Sequence, residues 1–193
     1  MKLIISTLFL VFIVTGVASA QNTNLGIKGG LNAYTINDDD NSNTEYILGF
    51  HVGLLGHFHL NDQFALQPEV VFSTQGAQYK VAGTDFKQEL SYINIPVLLQ
   101  YMFNNGFRIQ AGPQLGILAS ARSGTNNNTV DVKDNFESTD LGLSVGVSFI
   151  NPTSSFGVDA RYNHGLSNIN SSGNAIVYNR GVQLGVFYLF NHN

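Results

Sequence analysis

Hydrophobic and polar residues alternate along this chain with a period of two. In the stretch YILGFHVGLLGHFHL (46–60), one row reads Tyr46, Leu48, Phe50, Val52, Leu54, Gly56, Phe58 and Leu60. The other reads Ile47, Gly49, His51, Gly53, Leu55, His57 and His59. That period places alternate side chains on opposite faces of a β-strand, here one oily and one small and polar. At fifteen residues the run is about twice the roughly 5–6 residues of an ordinary strand.

Seven more segments carry the same alternation: 24–35, 64–79, 89–103, 107–122, 139–149, 156–166 and 180–190. Their connections alternate in length. Residues 36–45, 80–88, 123–137 and 167–179 are long and polar, whereas 61–63, 104–106 and 151–155 are short. Asn105-Gly106 is a hairpin signal, because both residue types accept positive φ. The pattern predicts an all-β fold, an eight-stranded antiparallel up-and-down barrel with short turns at one end and longer loops at the other. Pro68, Pro96 and Pro113 fall inside predicted strands, where each removes a ladder donor and suggests a bulge or a non-bonded position.

Composition decides which face points outward. Charged residues are 11% of the chain, against about 25% for typical soluble domains. After the first twenty residues no apolar run approaches the length of a membrane-spanning helix. A barrel with its oily rows in lipid reconciles the two observations. The polar rows, with Lys28, Glu69, Glu89, Arg108, Arg122, Asp140, Asp159 and Arg161, then line a narrow lumen, where glycines and serines relieve crowding. A buried charge needs a partner, so a cross-lumen ion pair is expected between Glu69 and either Arg161 or Lys28. Tyr46, Phe58, Phe64, Phe103, Phe107, Phe149, Phe156, Tyr188 and Phe190 lie near strand ends, as aromatic girdles at the two interfaces should. His164 falls on the lipid parity near the end of its strand. The competing assignment is a secreted lipocalin-like barrel holding an apolar ligand, with the oily rows inside.

The first twenty residues read as a cleaved signal peptide: Lys2, an apolar run from Leu3 to Val14, and Ala18-Ser19-Ala20 before the cut. Cleavage before Gln21 leaves one domain, 21–193. With no cysteine, the exported chain is expected to rely on burial and hydrogen bonding alone and to carry no lipid anchor. A net charge of −4 gives no basic footprint for nucleic acid.

Four stretches then add a resemblance: GIKGGLN (26–32), QPEVVFSTQG (67–76), SYINIPVLLQY (91–101) and AGPQLGIL (111–118 with its leading Ala111). They resemble the PorT-like outer-membrane β-barrel family of Gram-negative bacteria, over essentially the whole mature chain. The resemblance implies an eight-stranded outer-membrane barrel with a structural, accessory or binding role. Some relatives are linked to a protein-secretion apparatus, a role that attaches to no particular residue here. Gln183 to Phe190 is similar to the C-terminal signal read by the barrel-assembly machinery, except that Asn191-His192-Asn193 follow the last aromatic. Expected partners are therefore outer-membrane lipid, the assembly machinery during biogenesis, and other envelope or secretion proteins.

Candidate chemistry is thin. His57 and His59 share a strand face at a spacing that can chelate a metal, but no third ligand is identifiable. Serine, histidine and aspartate all occur without a nucleophile motif, which leaves a lipid-acting barrel enzyme as a weaker alternative. Asp38-Asp39-Asp40 lacks the spacing and glycine of an EF-hand loop. GIKGG precedes a strand rather than a helix and is no phosphate cradle. The reading is of no catalytic, cofactor-binding or metal residues and no cofactor.

Overall fold

The computed structural model describes residues 23–38, 45–81, 84–125, 128–151, 153–172 and 175–190. The expected signal peptide, Asp39, Asp40 and the last three residues lie outside them. Nine strands follow one another: β1 (Thr23–Asp38), β2 (Glu45–His59), β3 (Phe64–Val81), β4 (Thr84–Met102), β5 (Phe107–Thr125), β6 (Asn128–Asp131), β7 (Thr139–Ile150), β8 (Phe156–Gly165) and β9 (Val177–Leu189). Consecutive strands pair antiparallel, except that β7 pairs with β5 and β6 hangs on the far end of β5. β1 pairs with β9, running from Gly26↔Leu189 to Asp38↔Val177, and this pairing closes the sheet. The ring therefore holds eight strands, the predicted barrel, and β6 is a ninth outside it. Full closure leaves no edge within the ring, as a lipid environment demands.

The strands run further than the oily rows do. Residues 80–88, expected as a loop, continue β3 and β4 in unbroken register to Val81↔Thr84. The expected loop 123–137 holds the end of β5, all of β6 and a short 3-10 turn at Lys133–Asn135. β1 reaches Asp38 and β9 starts at Val177. Beyond the apolar band a strand meets water and needs no oily face, so polar composition marks the end of the lipid contact and not of the ladder.

The prolines do not create the bulges. Register shifts fall instead between Tyr46 and His51 on β2 and between Ser91 and Tyr92 on β4. Around Pro68 the pairing of β3 lapses between Leu55↔Glu69 and Phe58↔Leu66 without any change of register. The same occurs near Pro96, between Pro96↔Gln114 and Leu99↔Ala111. Each missing N–H is absorbed as a skipped rung.

Polarity is inverted relative to a soluble barrel. Leu48 is 83% exposed and Leu31 70%, while Glu69 is 2%, Arg161 3% and Lys28 4% exposed. The soluble alternative, with oily rows inside, fails on this comparison. The aromatic girdle is strong at the turn end, where Phe64, Tyr101, Phe103 and Phe107 touch in sequence and Phe156, Tyr188 and Phe190 form a second series. Of the predicted members only Tyr46 stands at the loop end, where Tyr79 and Phe86, which were not among them, stack at 5.9 Å. The turn between β4 and β5 uses Gly106 at φ 87°, a conformation that glycine adopts without steric cost.

Candidate functional site: the filled lumen

Alternation on β1, β3 and β8 brings four charged side chains to one level of the lumen. Arg161 donates from Nη1 to Glu69 Oε2 at 2.9 Å and from Nη2 to Glu69 Oε1 at 2.8 Å. Lys28 Nζ lies 2.6 Å from Asp159 Oδ2 and 3.3 Å from Glu69 Oε2. Arg161 also approaches Asp159 at 3.4 Å. Two cations and two carboxylates balance, and the bidentate fork supplies the geometry that a buried pair requires. Both sequence-level candidates for the partner of Glu69 are thus in contact with it. β3 and β8 stand four places apart in the ring of eight, so Arg161 crosses the full width of the barrel to reach Glu69.

Glycine makes room for this crossing. A Cβ on Gly185 would lie 2.6 Å from Asp159 Oδ1 and 2.9 Å from His51 Nε2. His51 in turn faces Asn32 Oδ1 across 2.6 Å from its Nδ1. Toward the turn end, Gln67 donates to Glu69 (2.8 Å), and Gln100 donates to Gln67 (2.9 Å) and to Gln110 (2.7 Å). Toward the loop end, Asn163 donates to Tyr34 Oη at 2.7 Å, Ser144 donates to Asn163 at 2.6 Å, and Asn179 donates to Gln75. Arg108 and Asp140 lie at opposite ends of the lumen, both buried. Glu89 and Arg122, also expected on the lumen side, are instead exposed and face each other across β4 and β5. The extra residue at Ala119 on β5 turns Arg122 outward, and Glu89 stands on the outward parity of β4 with Ile93 and Ile95.

An apolar cap closes the loop end, and the sequence reading did not foresee it. Ile36, Ala77, Leu90, Tyr92, Leu118, Ala121 and Ile169 form one buried cluster. The segment after β8 folds over the mouth. Glu137 N–H donates to Ile169 C=O (2.8 Å), Ile169 N–H to Val177 C=O (2.9 Å), and Ser171 N–H to Asn135 C=O (3.1 Å). The available signal was Leu90 and Tyr92, two bulky residues at the loop end of the inward row of β4.

In the central quartet the charged groups are committed to one another. His57 and His59 stack edge to face at 4.6 Å, and among the described residues no cluster of three or more His, Cys, Asp or Glu is placed to hold a metal.

A closed barrel that is oily outside and ionic inside defines an integral β-barrel membrane protein. The chain belongs to the family described as outer membrane protein beta-barrel domain, whose model matches residues 19–171. It is accordingly an outer-membrane β-barrel. Among solved structures it is similar to Neisserial surface protein A, with a TM-score of 0.60 and 17% identity over 88% of this chain and 100% of that one. It is also similar to Ail, the attachment invasion locus protein of Yersinia pestis, with a TM-score of 0.55 and 18% identity over 87% and 99%. At such identities the likeness is one of fold. No curated protein matches the chain.

Proposed function

We propose that this protein is a plugged outer-membrane barrel that acts through binding at its loop end, in a structural or accessory role, and neither conducts solutes nor catalyses a reaction. The observation that carries the reading is the filled lumen, with an ion-paired layer spanning its diameter beneath an apolar cap. Below the cap, a hydrated solute would have to break the Arg161–Glu69 fork, whose desolvated charges resist separation.

The outward face supports a role for the loop end. On β3, β4 and β5 the exposed row changes from Phe72, Ile93 and Ile117 to Gln78, Lys87, Glu89 and Arg122, so these strands rise out of lipid into water. There β4, β5 and β6 frame a cleft of about 220 Å³ lined by Lys87, Glu89, Arg122, Gly124, Thr125 and Thr129. Ail has been solved in complex with the heparin analogue sucrose octasulfate, so a barrel of this shape can bind a ligand. The PorT-like resemblance makes a secretion-related envelope protein the first partner to seek. Export through cleavage at Gln21 belongs to the same reading, and an envelope form whose mass includes residues 1–20 would contradict it.

Two measurements test the function. In planar bilayers the protein should give no large, steady conductance. In intact cells, a photo-crosslinker at Thr129 or Val130 should capture a discrete protein partner, whereas one at Leu48 in the lipid band should not. A steady open channel, or identical adducts from both positions, would overturn the proposal.

A further inference from the structure

The charge quartet leaves one buried cation over. Arg108, the second residue of β5, is 4% exposed, and its Nη1 has no hydrogen-bond acceptor in the barrel. Glu69 and Asp159 are already matched by Lys28 and Arg161. Asp140 lies at the other end of the lumen, where it accepts from Ser167 at 3.2 Å. Among the described residues, no carboxylate pairs with Arg108.

The neighbours of Arg108 offer donors. Ser148 stands directly opposite it on β7, is 4% exposed, and has a hydroxyl with no partner. Gln110 shares its face of β5 two residues on. The glutamine chain explains why a donor is left there. Each amide in it donates toward Glu69 or along the row, so Gln110 Oε1 is consumed by Gln100 while Gln110 Nε2 is left without an acceptor. The spare acceptor nearby, Gln100 Oε1, is neutral and cannot offset a charge. The surrounding floor is apolar, formed by Leu55, Ile150, Phe187 and Leu189. In such surroundings an uncompensated cation is costly and a charge-assisted hydrogen bond is strong.

We propose that the turn end of the lumen is an oxyanion site, in which Arg108, Ser148 and Gln110 hold a phosphate- or sulfate-type group. In outer-membrane barrels the turns face the periplasm, where such a group is available as a free oxyanion or as the headgroup phosphate of an inner-leaflet lipid. The site is separate from the loop-end surface and independent of its partner.

The test uses the full mature chain folded in phosphate-free maltoside micelles. Thermal unfolding is followed with inorganic phosphate against chloride at equal ionic strength, and with micelles doped with phosphatidylglycerol. Anion binding to the folded state alone must raise the midpoint with the logarithm of anion concentration above the dissociation constant, and the Arg108 Nε–H resonance must move saturably. Response to inorganic phosphate identifies a free oxyanion, and response to the doped lipid alone identifies a headgroup. Apparent affinity should fall at least about tenfold in Arg108→Met, the scale of one lost charge-assisted bond, and less in Ser148→Ala. Lys133→Gln, an exposed cation far from the turns, should leave it unchanged. In chloride, Arg108→Met should be as stable as wild type or more so, because it removes an uncompensated charge. A midpoint insensitive to both probes, an equal response in Arg108→Met, or a loss of stability by that variant in chloride would overturn the site. If Arg108→Met does not fold, Ser148→Ala and the wild-type resonance carry the same test.

Discussion

Substituting Glu69 by Gln asks whether the lumen is dry. The replacement keeps the volume of the side chain and much of its hydrogen-bonding capacity, and removes only the charge. Arg161 then keeps at most one neutral acceptor in place of the two charged oxygens of its fork, at 2.8 and 2.9 Å. Lys28 and Arg161 are left to share Asp159, at 2.6 and 3.4 Å. The layer passes from neutral to one net positive charge in a desolvated space. Removing one partner of a buried pair costs roughly 3–5 kcal/mol, and that range is expected here. Arg161→Met should cost a similar amount by the opposite imbalance, with two carboxylates facing Lys28. The double variant keeps the 2.6 Å Lys28–Asp159 pair and restores neutrality, so its cost should fall below the sum of the singles by roughly 0.5–3 kcal/mol. The chain has no tryptophan, so urea unfolding in micelles or vesicles is best followed by far-ultraviolet circular dichroism and by the mobility of folded barrel on gels. A Glu69→Gln cost below about 1 kcal/mol, or strict additivity in the double variant, would mean water screens the layer, and the plugged-lumen reasoning would fall.

Two further outcomes follow from the same structure. Val52→Arg should cost roughly 2–4 kcal/mol, the range for a lipid-facing arginine near mid-depth, while His51→Gln is milder; a spin label at position 52 should collide often with oxygen and rarely with a water-soluble nickel reagent, and low contact with both would place that residue in a protein core. Ile169→Ala should cost about 2–4 kcal/mol, as for a fully buried isoleucine, and should speed hydrogen exchange at the Glu137 and Ile169 amides without affecting Val52; unchanged exchange at both amides would show that the cap does not hold the mouth closed.

The barrel was legible in the sequence because its signal is redundant. Eight segments repeat one alternation, and a single error of parity would turn a whole row to the wrong face. The ends of the strands were not legible for the opposite reason. From Glu89 outward on β4, and from Arg122 on β5, both faces meet water, so the alternation that reveals a strand vanishes while the ladder continues. Arg122 falls on the lumen parity of β5, and the extra residue at Ala119 turns it outward with no mark in the sequence, whereas Glu89 shares the outward parity of Ile93 and Ile95, so its charge and not its parity suggested the lumen. The apolar cap was hidden in a similar way. Leu90, Tyr92 and Leu118 occupy lumen positions, but parity cannot show that a distant segment supplies Ile169 to cover them.

The ion-paired layer marks how far parity can go. Alternation assigns Lys28, Glu69, Asp159 and Arg161 to the interior, and their distance from the turns places them at one depth. It says nothing about angle around the axis. In a ring of eight, Lys28 on β1 stands two strands from both Glu69 on β3 and Asp159 on β8, within reach of either. Arg161 stands opposite Glu69, a span that only the longest side chain can bridge. That is why the partner of Glu69 came down to two candidates and why both are correct. It also bears on function: a shorter cation on β8 would satisfy Asp159 and leave the axis open. The placement of arginine on one wall and glutamate on the wall facing it, with Gly185 clearing the way, is what turns a barrel-shaped channel into a plug.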